Sequence, residues 1–362
     1  MATPSRRRML DERRSSSPRA AALARGAEPP GTPATAPAVR IAVTGSIATD
    51  HLMRFPGRFV EQLIAEKLDR VSLSFLVDDL EIRRGGVAAN IAFGLGVLGL
   101  EPLLIGAVGP DFGPYRDWLT AHGVDCSGVR ESARHHTARF VCTTDADGNQ
   151  IASFYPGAMS EDAEITLAPF AGRGEAIDLV LIGASDPGAM LSRTAECIRL
   201  GVPFAADPSQ QLPRLEGPDA RALVAGARYL FCNEYEEALI ERKTGWTSAE
   251  VLAQVGVRVT TLGPNGVRIE RGTEPPLFIG PVAEVDKRDP TGTGDAFRAG
   301  FLAAVGWGLT LERAAQLGNL VAVSALETVG PQEYELKPAQ VAGRLAETYG
   351  DEAAAEISAH YC

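Results

Sequence analysis

Residues 289–297 read Asp-Pro-Thr-Gly-Thr-Gly-Asp-Ala-Phe. A proline and two glycines predict a turn here, and the apolar residues that follow have the spacing of a helix. The first N–H groups of a helix have no partner within it, so the backbone of Gly292, Thr293 and Gly294 is predicted to bind an anion. Asp295 would lie beside that anion, where a carboxylate can take the proton of a hydroxyl. A base next to an anion site is what phosphoryl transfer to an alcohol requires.

A Gly-x-Gly-Asp sequence alone is more typical of a turn that only caps a helix. The whole nonapeptide, however, resembles the signature of the ribokinase-like, or pfkB, family of carbohydrate and nucleoside kinases, whose usual form is Asp-Thr-x-Gly-Ala-Gly-Asp. The chain departs from that form at Pro290 and Thr293, and neither change removes a glycine or Asp295. The resemblance extends over residues 40–350 and implies an ATP-dependent kinase.

The pattern of apolar segments predicts an α/β fold. Short apolar runs at residues 179–182, 204–207, 229–231 and 257–261 are typical of strands and alternate with helical segments. Such alternation predicts parallel crossover units, and therefore a sheet with helices on both faces.

Two segments interrupt this alternation. Residues 71–84 alternate between two environments, as a strand does, and residues 138–144 and 150–155 are predicted strands joined by a hairpin loop. The segments near 51–84 and 135–157 are therefore predicted to form a small β-sheet lid. With the resemblance, this predicts a ribokinase-like three-layer sandwich that has a mostly parallel central sheet.

The length, charge and cysteine content of the chain limit the classes of function that the protein can have. The chain has 362 residues, of which 45% are hydrophobic, and can bury the core of one large domain. The net charge is −11, and residues 1–40 carry eight Arg against three acidic residues, so residues 41–362 carry −16. That acidic body argues against nucleic-acid binding. No segment has the pattern of a transmembrane helix, and five cysteines without a Cys-x-x-Cys pair favour a cytoplasmic protein.

Both ends of the chain are predicted to lie outside the kinase domain. Residues 1–39 contain Arg, Ser, Pro and Ala with almost no large apolar side chains, so a disordered N-terminal extension is expected. A transit peptide and a true translation start near Val39 are the alternatives. The domain is placed at residues 40–350, and residues 351–362 are expected to be a C-terminal tail.

Polar residues that follow strands predict where the site lies. Asp50, Asp207 and Asn233 each come just after an apolar run, and open α/β sheets bind ligands at the carboxyl ends of their strands. Each of the three is also typical of a loop cap, the more common role of Asn and Asp. The segment Gly85-Gly86-x-x-x-Asn90 resembles the family's Gly-Gly pair and Asn that bind substrate hydroxyls.

The resemblance implies a role for each residue. Asp295 would be the catalytic base, and Asp50 would accept the hydroxyls of a ribose. Further substrate contacts are implied for Ser46, Gly86, Asn90, Gln210, Gln211 and Arg214. Contacts to ATP are implied for Asn233, Thr261, Gly263, Gly266 and Gly294.

The resemblance also implies cations. Asn233-Glu-Tyr-Glu236 matches the family's Asn-x-x-Glu, and Glu236 would reach Mg²⁺ through water. The same pair is equally typical of a helix cap. Asp289 and Thr291 match positions that hold a monovalent cation in some relatives, with K⁺ as the candidate.

The aromatic residues of the lid are the basis for predicting which acceptor the kinase uses. A nucleoside kinase needs a flat apolar slot for the base next to its ribose contacts. Phe140 and Phe154 fall on the two hairpin strands and Phe75 on the earlier lid segment, although packing of the lid alone would explain them equally well. Residues 207–211 and 153–158 are similar to segments of actinobacterial adenosine kinases, a subgroup of the same family.

That resemblance implies adenosine as the acceptor and AMP as the product. Phe140 and Phe154 would sandwich the purine. Ser74 would reach the substrate of a neighbouring subunit, which implies a homodimer joined through the lid strands. The alternatives are a kinase of the same family that acts on ribose, fructose or another nucleoside, and a non-catalytic regulator that binds nucleosides.

Overall fold

A computed structural model describes residues 39–63, 70, 73–171 and 176–361. The expectations for residues 1–38 fall outside these ranges. Val39 already packs against the main hydrophobic core, one residue before the predicted start of the domain.

The larger sheet is mostly parallel, as predicted. The strands of the described residues are β1 Ile41–Thr44, β2 Ala48–Arg54, β3 Asp79–Gly85, β4 Leu103–Val108, β5 Asp125–Glu131, β6 Ala138–Thr144, β7 Gln150–Tyr155, β8 Leu179–Ile182, β9 Phe204–Ala206, β10 Tyr229–Asn233, β11 Val257–Thr261, β12 Val267–Glu270 and β13 Leu277–Ile279. Nine of them form one sheet in the order β13-β12-β11-β10-β9-β8-β1-β4-β5. Only the pairs β11–β12 and β12–β13 are antiparallel. The chain winds in opposite directions on the two sides of β1, and open α/β sheets bind ligands at such a point.

The smaller sheet has four strands in the order β3-β2-β6-β7. Strands β6 and β7 form the predicted hairpin, and β2 lies parallel to β6. Asp50, predicted in a turn after the first strand, therefore stands on the second strand, within this lid sheet.

Helices cover both faces of the large sheet. The α-helices of the described residues are α1 Phe59–Gln62, α2 Val87–Val97, α3 Gly113–Ala121, α4 Ala168–Ala171, α5 Pro187–Leu200, α6 Gly217–Val224, α7 Glu234–Thr244, α8 Ser248–Gln254, α9 Thr293–Gly306, α10 Leu311–Leu326, α11 Pro338–Tyr349 and α12 Asp351–Ser358. Successive strand residues point to opposite faces. Phe231 accordingly packs in a core with α2, α3 and α9–α12, whereas its neighbour Leu230 packs in a second core with α5–α8. The three-layer prediction is confirmed.

The strand predicted at residues 71–84 is wrong in its first half. Strand β3 covers only Asp79–Gly85, and residues 73–77 have no regular structure. The Phe75 ring packs on Phe55 and Phe59, with ring centroids 4.8 and 5.3 Å apart. Its apolar surface is therefore covered by an aromatic cluster and not by a sheet. Val71 and Ser72 lie outside the described residues.

Two predicted boundaries also change. Helix α2 begins at Val87, not near Asn90, because Gly86 has the positive φ of 94° and ends the preceding strand as the N-cap. The residues assigned to a C-terminal tail include helix α12, in which Ile357 is fully buried in the main core. The packed part of the chain thus extends at least to Ser358.

The described cysteines Cys126, Cys142, Cys197 and Cys232 are free. Within the same part of the chain, no helix is long and apolar enough to cross a membrane.

Candidate active site

The turn at residues 289–292 leads directly into helix α9, as predicted. Gly292 is the N-cap and has φ 75°, a left-handed conformation that L-residues rarely adopt. A Cβ added to it would lie 2.4 Å from the Cβ of Pro331, so a side chain does not fit here. The Thr293 N–H donates to the Pro290 carbonyl at 3.3 Å. The N–H groups of Gly294 and Asp295 follow in the first turn, where a helix supplies no acceptor.

The Asp295 carboxylate lies at the start of α9, against the start of α2. Its Oδ2 accepts a hydrogen bond of 2.8 Å from the Asn90 side chain. Burial raises the pKa of Asp295 to about 7, although the Asn90 bond and the charge of Arg298 act in the opposite direction. A pKa close to neutrality is typical of a general base.

A buried hydrogen-bond chain orients Asn90. The Gln332 amide donates to Asn90 Oδ1 at 2.9 Å and to the Tyr115 hydroxyl at 2.5 Å. The Tyr115 hydroxyl donates to the Gly85 carbonyl at 2.9 Å. Because the Asn90 oxygen is occupied by a donor, its NH₂ group must face Asp295. Gln332 and Tyr115 were not found from the sequence, since they are 242 and 25 positions away from Asn90 and have no motif of their own.

A buried ion pair lies behind Asp295. Arg298, one turn later on α9, donates to Asp207 Oδ1 at 2.7 Å and to the Gly294 carbonyl at 3.0 Å. The side chains of Arg298 and Asp207 are 7% and 1% exposed. Asp207 is thus not a free ligand at a strand end but the link between strand β9 and helix α9. An Arg within an apolar helical run was a signal for such a buried partner.

One row of side chains crosses the lid sheet. Register pairs Asp50 with Arg83 on one side and with Phe140 on the other, and Phe140 with Phe154. Directly paired residues project from the same face of a sheet. Two charged groups and two aromatic rings therefore lie on one face of the lid.

Asp50 abuts the start of helix α2. A Cβ added to Gly85 would be 2.9 Å from Asp50 Oδ2, so a side chain here would displace the Asp50 carboxylate. Burial raises the pKa of Asp50 to about 6, while the charge of Arg83 opposes that rise and the charge of Asp289 adds to it. Asp50 and Asp295 thus flank the first turns of α2.

The same register corrects the predicted purine sandwich. Phe140 and Phe154 stand side by side on one face, so they form a single wall and cannot enclose a base from two sides. Phe154 is 47% exposed. Phe75 belongs to the aromatic cluster with Phe55 and Phe59 and is not part of that wall.

Ser46 and Gly86 form the joint between strand β1 and helix α2. The Ser46 hydroxyl accepts a hydrogen bond of 3.0 Å from the Val87 N–H, and the Ser46 carbonyl accepts one from the Ala88 N–H. A Cβ on Gly86 would lie 2.5 Å from the Ser46 carbonyl oxygen. Both residues therefore hold the start of α2 in place.

The remaining predicted substrate contacts differ in accessibility. The 3₁₀ helix Ser209–Arg214 follows Asp207 and places Gln210 and Arg214 in solvent. Gln211 is buried, and its side-chain oxygen has no hydrogen-bond partner among the described residues. Ser74 is exposed in the irregular segment 73–77.

The residues predicted to bind ATP lie together at another part of the sheet edge. Asn233 pairs with Thr261 in register, each at the end of its strand. Gly263 and Gly266 form the next turn, and a Cβ on Gly266 would be 2.1 Å from the Ile279 carbonyl oxygen. Asn233 and Glu236 form a capping box at the start of α7, with bonds of 2.8 and 2.9 Å. The interpretation of this pair as a helix cap is therefore confirmed.

The carboxylate predicted to hold a monovalent cation already has three donors. Asp289 Oδ1 accepts from the Thr291 N–H at 2.9 Å. Asp289 Oδ2 accepts from the Gly330 N–H at 3.1 Å and from the Arg83 guanidinium at 2.9 Å. These donors outweigh burial and hold the pKa of Asp289 below its usual range.

Comparisons with known proteins agree with this architecture. Residues 44–338 match the pfkB family carbohydrate kinases. The nucleoside kinase of Methanocaldococcus jannaschii is 27% identical over 296 residues, which are 81% of this chain and 92% of that protein. The nucleoside kinase of Methanothermobacter thermautotrophicus is 34% identical over 257 residues, 68% of this chain and 80% of that protein.

A solved structure shares the whole fold. The nucleoside kinase of Burkholderia thailandensis in complex with inosine superimposes with a TM-score of 0.75 at 34% identity. The match covers 86% of this chain and 99% of that one. This chain therefore belongs to the pfkB family of carbohydrate kinases and has the ribokinase-like fold.

Proposed function

We propose that this kinase transfers the γ-phosphoryl group of ATP to the 5′-hydroxyl of adenosine, which gives AMP and ADP. The observation that carries the proposal is the row on the lid, where the Asp50 carboxylate stands next to Phe140 and Phe154. A carboxylate suits vicinal hydroxyls, and an aromatic wall suits a flat base. A free sugar would use only the first of these.

The chemical step uses the start of helix α9. Asp295 takes the proton of the acceptor hydroxyl as its oxygen attacks the γ-phosphorus, and the bond to the β-phosphate oxygen breaks. The N–H groups of Gly294 and Asp295 and the helix dipole stabilise the charge on the transferred group. Asn90 keeps the carboxylate turned toward the acceptor through its 2.8 Å hydrogen bond.

Mg²⁺ would enter with the nucleotide. The described residues contain no group of three or more His, Cys, Asp or Glu side chains suited to a metal ion. Magnesium bound to phosphates keeps most of its water, so a single outer contact is sufficient. Glu236 can make that contact through water while its Oε2 accepts the hydrogen bond from the Asn233 N–H at the start of helix α7. ATP itself would lie along Asn233, Thr261, Gly263 and Gly266.

Gln211 is the best candidate for reading the base. Its side-chain oxygen is buried without a partner among the described residues, and a buried acceptor costs stability until a donor reaches it. The exocyclic amine of adenine is a donor of that kind. Gln210 and Arg214 would contribute from the exposed part of the same 3₁₀ helix.

A panel of acceptors tests the proposal. ADP release is measured with Mg-ATP and adenosine, inosine, ribose or fructose, each at the same concentration. We expect adenosine to give the highest kcat/KM. Preference for inosine would shift the assignment to another nucleoside, as the inosine complex of the Burkholderia thailandensis enzyme suggests. Preference for ribose or fructose would remove the nucleoside assignment, and nucleoside binding without turnover would favour a regulator.

Phe140→Ala is expected to affect nucleosides selectively. Stacking of a base on an aromatic ring contributes about 1–3 kcal/mol, so KM for adenosine should rise about tenfold or more. KM for any free sugar that is turned over should change little. Thr144→Ala, on the same strand and the same face but at its far end, is the matched control. Equal losses for adenosine and for a sugar would show that Phe140 only packs the lid.

We infer that two chains associate through the outer face of the lid. Leu80, Ile82, Ile151 and Tyr155 lie on the face opposite to Asp50, and each is more than 40% exposed. Large apolar side chains exposed on both outer strands of one sheet face favour an interface there. Ser74 would then reach the site of the partner. Ile82→Asp should convert a dimer into a monomer in sedimentation velocity, and a monomeric wild type would contradict the inference.

A further inference from the structure

The side chain of Arg83 binds the carboxylate of Asp289, one of the two residues to which the family resemblance assigns a monovalent cation. Its Nη1 lies 2.9 Å from Asp289 Oδ2, and its side chain is only 19% exposed. The other two guanidinium nitrogens bind both oxygens of Glu81 at 2.7 Å, which fixes the plane of the group. A planar guanidinium held on two sides is a permanent and pre-oriented positive charge.

The Asp289 carboxylate connects the turn at residues 289–292, called the anion loop below, to the loop that contains Gly330 and Pro331. Through Thr291 it holds the turn that precedes helix α9, and through Gly330 it holds the loop whose Pro331 contacts Gly292. Three of its four lone-pair positions are thus in use. A metal ion at the same carboxylate would have to approach the Arg83 charge, and the donor set therefore does not fit a cation site.

Arg83 also separates two carboxylates. Asp50, its cross-strand partner on the lid, and Asp289, on the main body, each interact with its charge, and Asp289 raises the pKa of Asp50. Without a cation between them, the two anions would repel each other at the edge of the site. One guanidinium thus binds Asp289 and Glu81 and also attracts Asp50, so it lowers the repulsion among these acidic groups.

We propose that Arg83 is a built-in counter-cation and positioning residue, which makes phosphoryl transfer by this kinase independent of potassium. The proposal rests on the kinase activity proposed above, whichever acceptor is used. Arg83 belongs to strand β3, and so the lid supplies the positive charge that lies next to the anion loop. The chemistry needed at this point is one positive charge within hydrogen-bond distance of Asp289, and the chain already supplies it.

The test compares wild type and Arg83→Met in chlorides of potassium, sodium and tetramethylammonium at equal ionic strength, so that screening is the same. Wild-type kcat/KM should vary by less than about twofold, within the spread of weak surface ion effects. Arg83→Met should lose at least about tenfold in tetramethylammonium, the weight of one charged hydrogen bond, and potassium or added guanidinium should restore most of it.

Arg84→Met is the matched control. Arg84 is the next residue on the strand, points to the other face, and contacts Glu333 at 3.3 Å and the Trp118 ring at 4.1 Å. Its variant should show no potassium response. A wild type that needs potassium would overturn the proposal. So would an Arg83→Met that loses less than about twofold, the size of weak ion effects, or a loss that neither cation restores.

A second measurement does not depend on turnover. The melting temperature of the wild type should be the same in the three salts, whereas that of Arg83→Met should be higher in potassium or guanidinium than in tetramethylammonium. If no acceptor in the panel is phosphorylated, the proposed function fails while this comparison still decides the role of Arg83. Potassium-dependent melting of the wild type would count against the counter-cation.

Discussion

Asp295→Asn is expected to lower kcat by at least about two orders of magnitude, the usual contribution of one acid–base group. The amide has almost the same shape and can still accept the 2.8 Å bond from Asn90, so binding of acceptor and nucleotide should be retained. Only proton removal from the hydroxyl is lost. Near-normal phosphorylation of the acceptor by this variant would dismiss Asp295 as the base.

The pH dependence separates loss of the base from loss of structure. The pKa of Asp295 is raised to about 7 and that of Asp50 to about 6, and the proposed mechanism uses both groups as anions. The kcat/KM of wild type should therefore fall about tenfold per pH unit below pH 7, and more steeply below pH 6. The residual activity of Asp295→Asn should have no inflection near pH 7.

Stability provides the control for the same variant. Burial raises the folded-state pKa of Asp295 above its unfolded value, so the ionised carboxylate destabilises the native state at high pH. The Asp295→Asn protein should melt at a higher temperature than wild type above pH 7, and the difference should vanish as the pH falls toward 4, the ordinary pKa of a free Asp. An inactive variant that is also less stable at pH 8 would point to misfolding.

Arg298→Met is expected to have the largest effect on stability. The substitution leaves the Asp207 carboxylate, 1% exposed, without its ion-pair partner. Removal of one partner of a buried ion pair costs about 3–5 kcal/mol of the free energy of unfolding. Extrapolation of urea unfolding to water measures that loss.

The double variant Arg298→Met with Asp207→Asn identifies the cause. Because it removes both charges, it should recover a substantial part of the lost stability, whereas a packing defect would persist. The loss of Arg298 should also move the pH profile to higher pH, since its charge lowers the pKa of Asp295. An unchanged free energy of unfolding in Arg298→Met would show that the pair contributes nothing net.

Local signals explain most of the correct predictions. The turn at residues 289–292 and the start of α9 follow from glycine and proline conformations within a few residues. The hairpin of β6 and β7 follows from alternation around a short loop. The strand predicted from residue 71 was wrong because alternation alone does not distinguish a sheet residue from Phe75, which packs on other aromatic rings.

The predictions about the candidate active site also divide into those from local sequence and those that needed the tertiary structure. Asp295 and the glycines before it were predicted from contiguous residues, because a helix start and its free N–H groups need nothing beyond neighbouring backbone. By contrast, Gln332 on Asn90, Arg83 on Asp289 and the shared face of Phe140 with Phe154 depend on strand register and on packing between distant segments. Such contacts form only when separate layers of the fold pack together, and a short-range sequence pattern does not determine the geometry of that packing. The amino-acid order thus specified a glycine turn and a helix start with the Asp295 carboxylate beside them, and tertiary packing decided how that carboxylate is oriented and which charges surround it.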